Sequence, residues 1–222
     1  MSDLPILLFT LKIGLFSTLL VFPLALALAA VIRFLPAGPR VAVEVFGSLP
    51  LVLPPTAVGL LLLEMLSRDT PAGAFILNRG IEVLFTPTAV VVATSVMSFP
   101  LMFRSFRVAI DSVDPRYYGV ARTLGAGPAG AFFRVVLPLS WRGLAAGVLL
   151  GWTRAIGEFG ATVMVAGNIP GRTQTLALAI YQRVQSGREE TAIPLVLFAV
   201  ILALIAVAGS EWLSWTQTRR SR

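Results

Sequence analysis

Two opposite charges lie four residues apart in an apolar run: Arg154 and Glu158 in G-W-T-R-A-I-G-E-F-G-A-T. A charge at bilayer depth costs at least ~2.5 kcal/mol on insertion scales, so such residues pair or face a water-filled interior. A spacing of four puts both on one face of a helix. Two readings stand at this point: a pathway or gate element at the centre of a dimer, or a neutralised pair that holds helix packing. Covalent and metal chemistry has few other carriers, because the chain has neither Cys nor His. Disulfides, thiolate sites and imidazole catalysis are thereby closed off. The adjacent Glu189 and Glu190 read as a solvated loop patch, which disfavours an intramembrane enzyme.

The elements that position these charges are membrane helices. Of the 222 residues, 56% are hydrophobic and 13% charged, and the mean hydropathy is +0.84; soluble proteins carry about 25% charge. Spans are expected at residues 13–32, 45–63, 83–103, 143–167 and 191–210, each about 20 residues long as a bilayer requires. The first is read as a retained span, not a cleaved signal: no basic segment precedes it, Asp3 is acidic, and it exceeds the usual signal core. The net charge of +7 comes almost wholly from Arg, with Lys12 the sole lysine. One face receives Arg33, Arg40, Arg104, Arg107, Arg116, Arg122, Arg134, Arg142 and the tail residues Arg219, Arg220 and Arg222. The other receives Arg68, Arg79, Arg172, Arg183 and Arg188. The richer face is expected to be cytoplasmic, with the N-terminus outside and the C-terminus inside. In a membrane protein this bias reports topology, not nucleic acid.

Pro23 is expected to kink the first span. In the second, Pro50, Pro54 and Pro55 with Gly59 make a straight helix improbable; broken backbone at that depth is tolerated where it is buried in protein or lines a wet cavity. Such a cluster marks either a packing kink or a translocation path. The outer loop A-G-N-I-P-G-R-T-Q-T-L-A-L-A-I-Y carries the turn residues Asn168, Pro170 and Gly171, then a short helix capped by Thr173 or Thr175. Leu176, Ala177, Ile180 and Tyr181 give that helix an apolar stripe.

The long polar interruption runs from Gly119 to Pro138, inside a loop spanning 114–138. Asp114-Pro115 is a helix-start signal. A short helix is expected from Arg116 to Leu124, stopping at Gly125 and Gly127, and a second from Ala129 to Val136, ended by Pro138. Two short helices meeting at glycines form a knob.

The run Ala121, Gly125, Val135, Leu137, Pro138 resembles the signature of permease subunits of ATP-binding-cassette importers: E-A-A, three residues, G, nine residues, I-x-L-P. The departures are Gly119 and Val120 in place of Glu and Ala, and Val135 for Ile. The stretches R-A-I-G-E-F-G-A-T and A-G-N-I-P-G-R-T-Q-T-L-A-L-A-I-Y resemble the molybdate and tungstate branch, with sulfate permeases as cousins. The resemblance implies an all-α integral membrane protein of the type I importer permease kind, forming one permease domain over residues 1–222 in the bacterial inner membrane. It implies a homodimer, two cytoplasmic ATP-binding subunits that bind ATP and Mg in place of any cofactor in this chain, and a periplasmic oxyanion-binding protein. On and around that motif, Arg116, Tyr117, Tyr118, Gly119, Ala121, Arg122, Leu124 and Gly125 are candidates for ATPase coupling. Pro54, Pro55, Thr56, Arg154, Glu158 and Thr162 are candidates for the path or gate, where Thr hydroxyls and freed amides would make weak contacts to a tetrahedral dianion. Asn168, Arg172 and Gln174 are candidates for contact with the binding protein. Competing readings are a sulfate or thiosulfate permease and a stand-alone channel or ion-coupled carrier using Arg154 and Glu158; the carrier leaves the knob unexplained.

Overall fold

A computed structural model describes residues 3–218. The tail arginines Arg219, Arg220 and Arg222 lie outside the described residues. In order, the helices are α1 (Leu4–Ile32), α2 (Ala37–Val52), α3 (Pro55–Leu66), α4 (Pro71–Leu77), α5 (Pro87–Asp111), α6 (Pro115–Thr123), α7 (Pro128–Ala131), α8 (Leu137–Ile156), α9 (Gly160–Ala166), α10 (Leu176–Gln185) and α11 (Glu189–Thr218), with a π-helical stretch, Phe132–Val136, joining α7 to α8. Among the described residues, four helices are long and apolar enough to cross a membrane, or five if the bent pair α2 and α3 counts as one span.

The expected spans differ from these helices where backbone chemistry intervenes. The first helix begins at Leu4, nine residues before the expected Ile13, and runs unbroken through Pro23. The third is displaced toward the knob, from 83–103 to Pro87–Asp111; Pro87 takes the first turn, where its missing N–H has no intrahelical partner to lose. The second span, expected at 45–63, is two helices bent by 108°. A residue before a proline is biased away from the helical region, and two such residues in succession, Leu53 (ψ 145°) and Pro54 (ψ 132°), are extended. A single proline does not have this effect: Pro23, Pro50, Pro100 and Pro194 lie inside helices.

The fourth span, expected as one helix over 143–167, breaks after Ile156 and resumes at Gly160. At its other end Pro138 does not terminate a helix: the chain is helical from Pro128 to Ile156. A proline cannot donate to the carbonyl four residues back and crowds it; the wider π turn over Phe132–Val136 accommodates that defect immediately before Pro138.

The core is built on α5. Gly147 and Gly151 let α8 approach it so closely that an added Cβ would lie 2.8 Å from Ser105 Cβ and 2.5 Å from Met102 Cε, the small-residue crossing usual between membrane helices. Toward the knob, Val21, Ala25 and Ile32 of α1 pack with Met102, Phe103, Phe106 and Ile110 of α5 and with Phe132 and Val136. Toward the opposite end, Ile13, Val58, Ala93, Met97, Ala161 and Val165 bring α1, α3, α5 and α9 together.

Candidate functional site

The two breaks lie side by side. An added Cβ at Gly160 would sit 2.8 Å from Pro55 Cβ and 3.2 Å from Thr56 N, and one at Gly59 would sit 2.7 Å from Met164 Cβ. Thus α3 and α9, each the second half of a broken span, pack through glycines just beyond their breaks. The N–H groups of Ala57 and Val58 turn back onto Pro54 O at 2.9 and 3.2 Å. Pro54, Pro55 and Thr56 are exposed. Thr162 is fully buried, and its hydroxyl has no hydrogen-bond partner among the described residues.

Arg154 and Glu158 meet, with Nη1 to Oε2 at 2.5 Å, but they do not share a helix face. Gly157 caps α8, and Glu158 stands in the break. Its Oε1 accepts the backbone N–H of Ala161 at 2.9 Å, three residues on, at the start of α9. With Glu158 only 1% exposed, its carboxylate both balances Arg154 and satisfies a donor that the break would orphan. The sequence pattern concealed this because i,i+4 spacing also occurs across a one-turn interruption.

The knob is capped at both ends. Asp114 accepts the N–H of Arg116 at 2.8 Å, with Pro115 at the first helical position. At the far end Gly125 has φ +86°; its N–H reaches Arg122 O at 3.1 Å and the N–H of Ala126 reaches Ala121 O at 3.0 Å. That pair of bonds is the Schellman arrangement, and it needs the left-handed backbone glycine provides. Arg122 Nη1 donates to Ala126 O at 3.0 Å and braces the turn.

Not every coupling candidate faces outward. Tyr118 turns toward the chain's own core, with the Arg33 guanidinium 5.4 Å from its ring centroid and Phe34 alongside. Ala121 is buried. Tyr117, Val120 and Leu124 instead form an exposed apolar stripe, Leu124 at 82%, flanked by exposed Arg116, Gly119 and Arg122. Val120 was missed by matching motif positions; its i, i+3, i+7 spacing with Tyr117 and Leu124 was the available signal. Phe133 on the π stretch is also exposed.

At the opposite end, Asn168 and Gln174 are joined by a third amide, Gln182. Gln174 Nε2 donates to Asn168 Oδ1 at 3.1 Å and to Gln182 Oε1, and Asn168 Nδ2 donates to Gln182 Oε1 at 3.3 Å. These amides hold the loop against α10. Thr175 caps that helix by accepting the N–H of Leu178, whereas Thr173 receives the N–H of Ile169. Of the expected stripe, Leu176 is buried with Ala179 and Leu195, while Tyr181 is exposed. Arg172 is exposed on the rim of a cleft of about 740 Å³ that is also lined by Asp3, Phe9, Gln182 and Arg188. Arg183, in the same cleft, forks onto both carboxylate oxygens of Asp3. Those hydrogen bonds hold the Asp3 carboxyl below the usual carboxylate range, against a smaller upward push from burial, and raise Arg183.

Residues 21–217 match the family described as binding-protein-dependent transport system inner membrane component. The chain is 43% identical over 168 residues to the molybdenum transport system permease protein ModB of Haemophilus influenzae, covering 75% of this chain and 73% of that one. Against the Escherichia coli protein of the same name it is 42% identical over 175 residues, covering 78% and 76%. Two solved structures share the fold: a bacterial alginate ABC transporter (TM-score 0.73, 20% identity, 96% of this chain and 79% of that chain) and the MetNI methionine ABC transporter in inward-facing conformations (TM-score 0.69, 15% identity, 96% and 99%). The architecture is therefore that of type I importer permeases.

Proposed function

The chain belongs to the family of binding-protein-dependent transport system inner membrane components, and on that premise we propose that it is the membrane-spanning subunit of an ATP-driven importer that carries a tetrahedral oxyanion, molybdate in the first place, across the bacterial inner membrane. The observation that carries this reading is the 42–43% identity to molybdenum permeases over about three quarters of each chain. The chain is a transport subunit, not an enzyme. ATP and Mg are bound and turned over by a partner ATPase on the cytoplasmic side, a binding protein delivers the oxyanion outside, and two copies of this chain enclose the path. The N-terminus lies outside and the C-terminus inside.

The geometry suits each part. The stripe Tyr117, Val120 and Leu124, with Arg116, Arg122 and the glycine-capped turn, offers an ATPase groove a rigid apolar ridge with basic flanks. Because α7 and the π stretch run into α8 without interruption, displacement of the knob tilts a whole span. The adjoining breaks of α3 and α9 supply the exposed Thr56 and backbone groups for weak, transient anion contacts, whereas Thr162, fully buried here, reaches an anion only in a state that parts the two breaks. Glu158 would repel an anion alone, and Arg154 cancels that charge. Arg172, beside the amide cluster of Asn168 and Gln174, would meet the binding protein. A stand-alone carrier would need the Arg154–Glu158 pair to exchange partners, whereas Glu158 is engaged on both oxygens.

Oxyanion uptake by Thr56→Val and Thr162→Val dimers, reconstituted with the ATPase and binding protein, tests the path. A reduced rate in at least one is expected; parental rates in both would remove these hydroxyls from it.

A further inference from the structure

Four charges on two helices form a closed ring beside the knob. Arg40 and Glu44 lie on α2, Arg107 and Asp111 on α5, and each arginine touches both carboxylates. Arg107 Nη1 is 2.7 Å and Arg40 Nε 3.1 Å from Glu44 Oε1, whereas Asp111 Oδ2 is 3.5 Å from Arg107 Nε and 3.6 Å from Arg40 Nη2. The ring is net neutral and half-buried, with side-chain exposures of 28–39%. Within each helix the base precedes the acid by four residues, the weaker order for an isolated helix. The arrangement therefore serves the crossing between the helices more than either helix alone.

That crossing is where α2 needs support. Every residue of α2 is exposed or half-buried, so no face of it is sunk in the core. It leans on the bundle through the ring, through Val43 against the core cluster, and through Gly47, whose added Cβ would fall 3.4 Å from Phe103, a ring stacked on Phe99. One end of the ring is Asp111, the last residue of α5, followed by three residues and then the knob helix. At the other end, α2 runs on from Glu44, helical through Pro50, for about 14 Å at 1.5 Å per residue to the extended Leu53–Pro54 break. Glu44 is gripped closely by both guanidinium groups and Asp111 more loosely.

We propose that this ring is the link through which motion of the knob reaches the broken span: Glu44 is the pivot that makes α2 follow α5, and Arg40, Arg107 and Asp111 position it. These are positioning residues, distant from the substrate, and the inference rests on the ATP-driven reading above. Loss of the pivot lets the ATPase turn over while the α2–α3 break no longer moves with it.

The test uses the full complex, with permease, ATPase and binding protein in proteoliposomes, and reads molybdate taken up per ATP hydrolysed. Glu44→Gln is expected to lower that ratio about tenfold, within the usual range of coupling between sites, with hydrolysis near the parental rate. Asp111→Asn should lower it less, and reversal of all four charges (Arg40→Glu, Glu44→Arg, Arg107→Glu, Asp111→Arg) should restore it. An unchanged ratio in Glu44→Gln, failure of the reversal to restore it, or an equal fall of hydrolysis and uptake overturns the proposal. Hydrogen exchange on the permease tests the same link without transport: Glu44→Gln should speed exchange across residues 37–52 and leave 137–156 unchanged. Equal protection in 37–52 overturns the link even if the parental complex imports nothing. Absence of ATP-dependent uptake by the parental complex would instead count against the ATP-driven reading.

Discussion

Gly125 and Gly127 lie two residues apart on the knob, both exposed, and an added Cβ would meet nothing within 4 Å at either. They differ in backbone: φ is +86° at Gly125 and −62° at Gly127. An L-residue held in the left-handed region costs roughly 1–2 kcal/mol. Since the space is open, Gly125→Ala carries that penalty with no steric addition. The penalty falls on the turn that holds the Ala126–Ala121 and Gly125–Arg122 hydrogen bonds, so the ratio of the knob's native shape to its alternatives should fall by a factor of about 5–30, the most that binding can lose through this route. Permease in lipid nanodiscs, titrated with the purified ATPase subunit, should show weakening of that order for Gly125→Ala, less for Gly125→Asn, whose side chain tolerates this conformation. Gly127→Ala carries no such backbone penalty and should cost about 0.5 kcal/mol, the low end of the loss when Ala replaces a better N-cap residue. Equal affinities for Gly125→Ala and Gly127→Ala would refute the reasoning, because both sites are exposed with open space around the added methyl and only Gly125 has a positive φ.

Three further perturbations follow from the same geometry. Glu158→Ala strands Arg154 and the Ala161 N–H together, and should lower stability in detergent micelles by about 3 kcal/mol; adding Arg154→Ala should recover part of the loss, since paired charges are not additive. Gly59→Ala places a methyl 2.7 Å from Met164 Cβ and 2.8 Å from Ala161 Cα, overpacking expected to cost about 1–3 kcal/mol by thermal unfolding. The Asp3–Arg183 fork sets an acid limit. With Asp3 held lower in the folded chain than in the unfolded one, its contribution is complete above the unfolded value of about 3.9 and is lost as pH falls through the folded value. Arg183, raised, loses its share only above the ordinary arginine range. Asp3→Asn should flatten the acid limb of a melting-temperature profile against pH.

Hydropathy made most of the membrane elements legible, because long uncharged runs have few alternatives to helices in a bilayer. The helix breaks were less evenly legible. Pro54-Pro55 announced one, since consecutive prolines force consecutive extended residues. The break at Gly157–Phe159 left no such mark: no proline stands in it, and it is held by the Glu158 carboxylate, which caps the next helix. Pro138 misled in the opposite direction, because a π turn absorbed it. On the knob, Asp114, Pro115 and Gly125 fixed the ends of α6 through local backbone chemistry. Which of its residues faced outward depended on Arg33 and Phe34, more than eighty residues earlier, and that tertiary choice turned Tyr118 inward and left Val120 exposed. The Arg40–Glu44–Arg107–Asp111 ring was hidden for the same reason, since its decisive contacts join residues far apart in the chain.

The central claim, ATP-driven oxyanion import through a dimer of this chain, is met most directly by one measurement: radiolabelled molybdate uptake into proteoliposomes containing the permease, its ATPase and its binding protein. The account predicts uptake that requires all three components and hydrolysable ATP. Molybdate uptake by the permease alone, driven by an imposed ion gradient and indifferent to ATP, would contradict it.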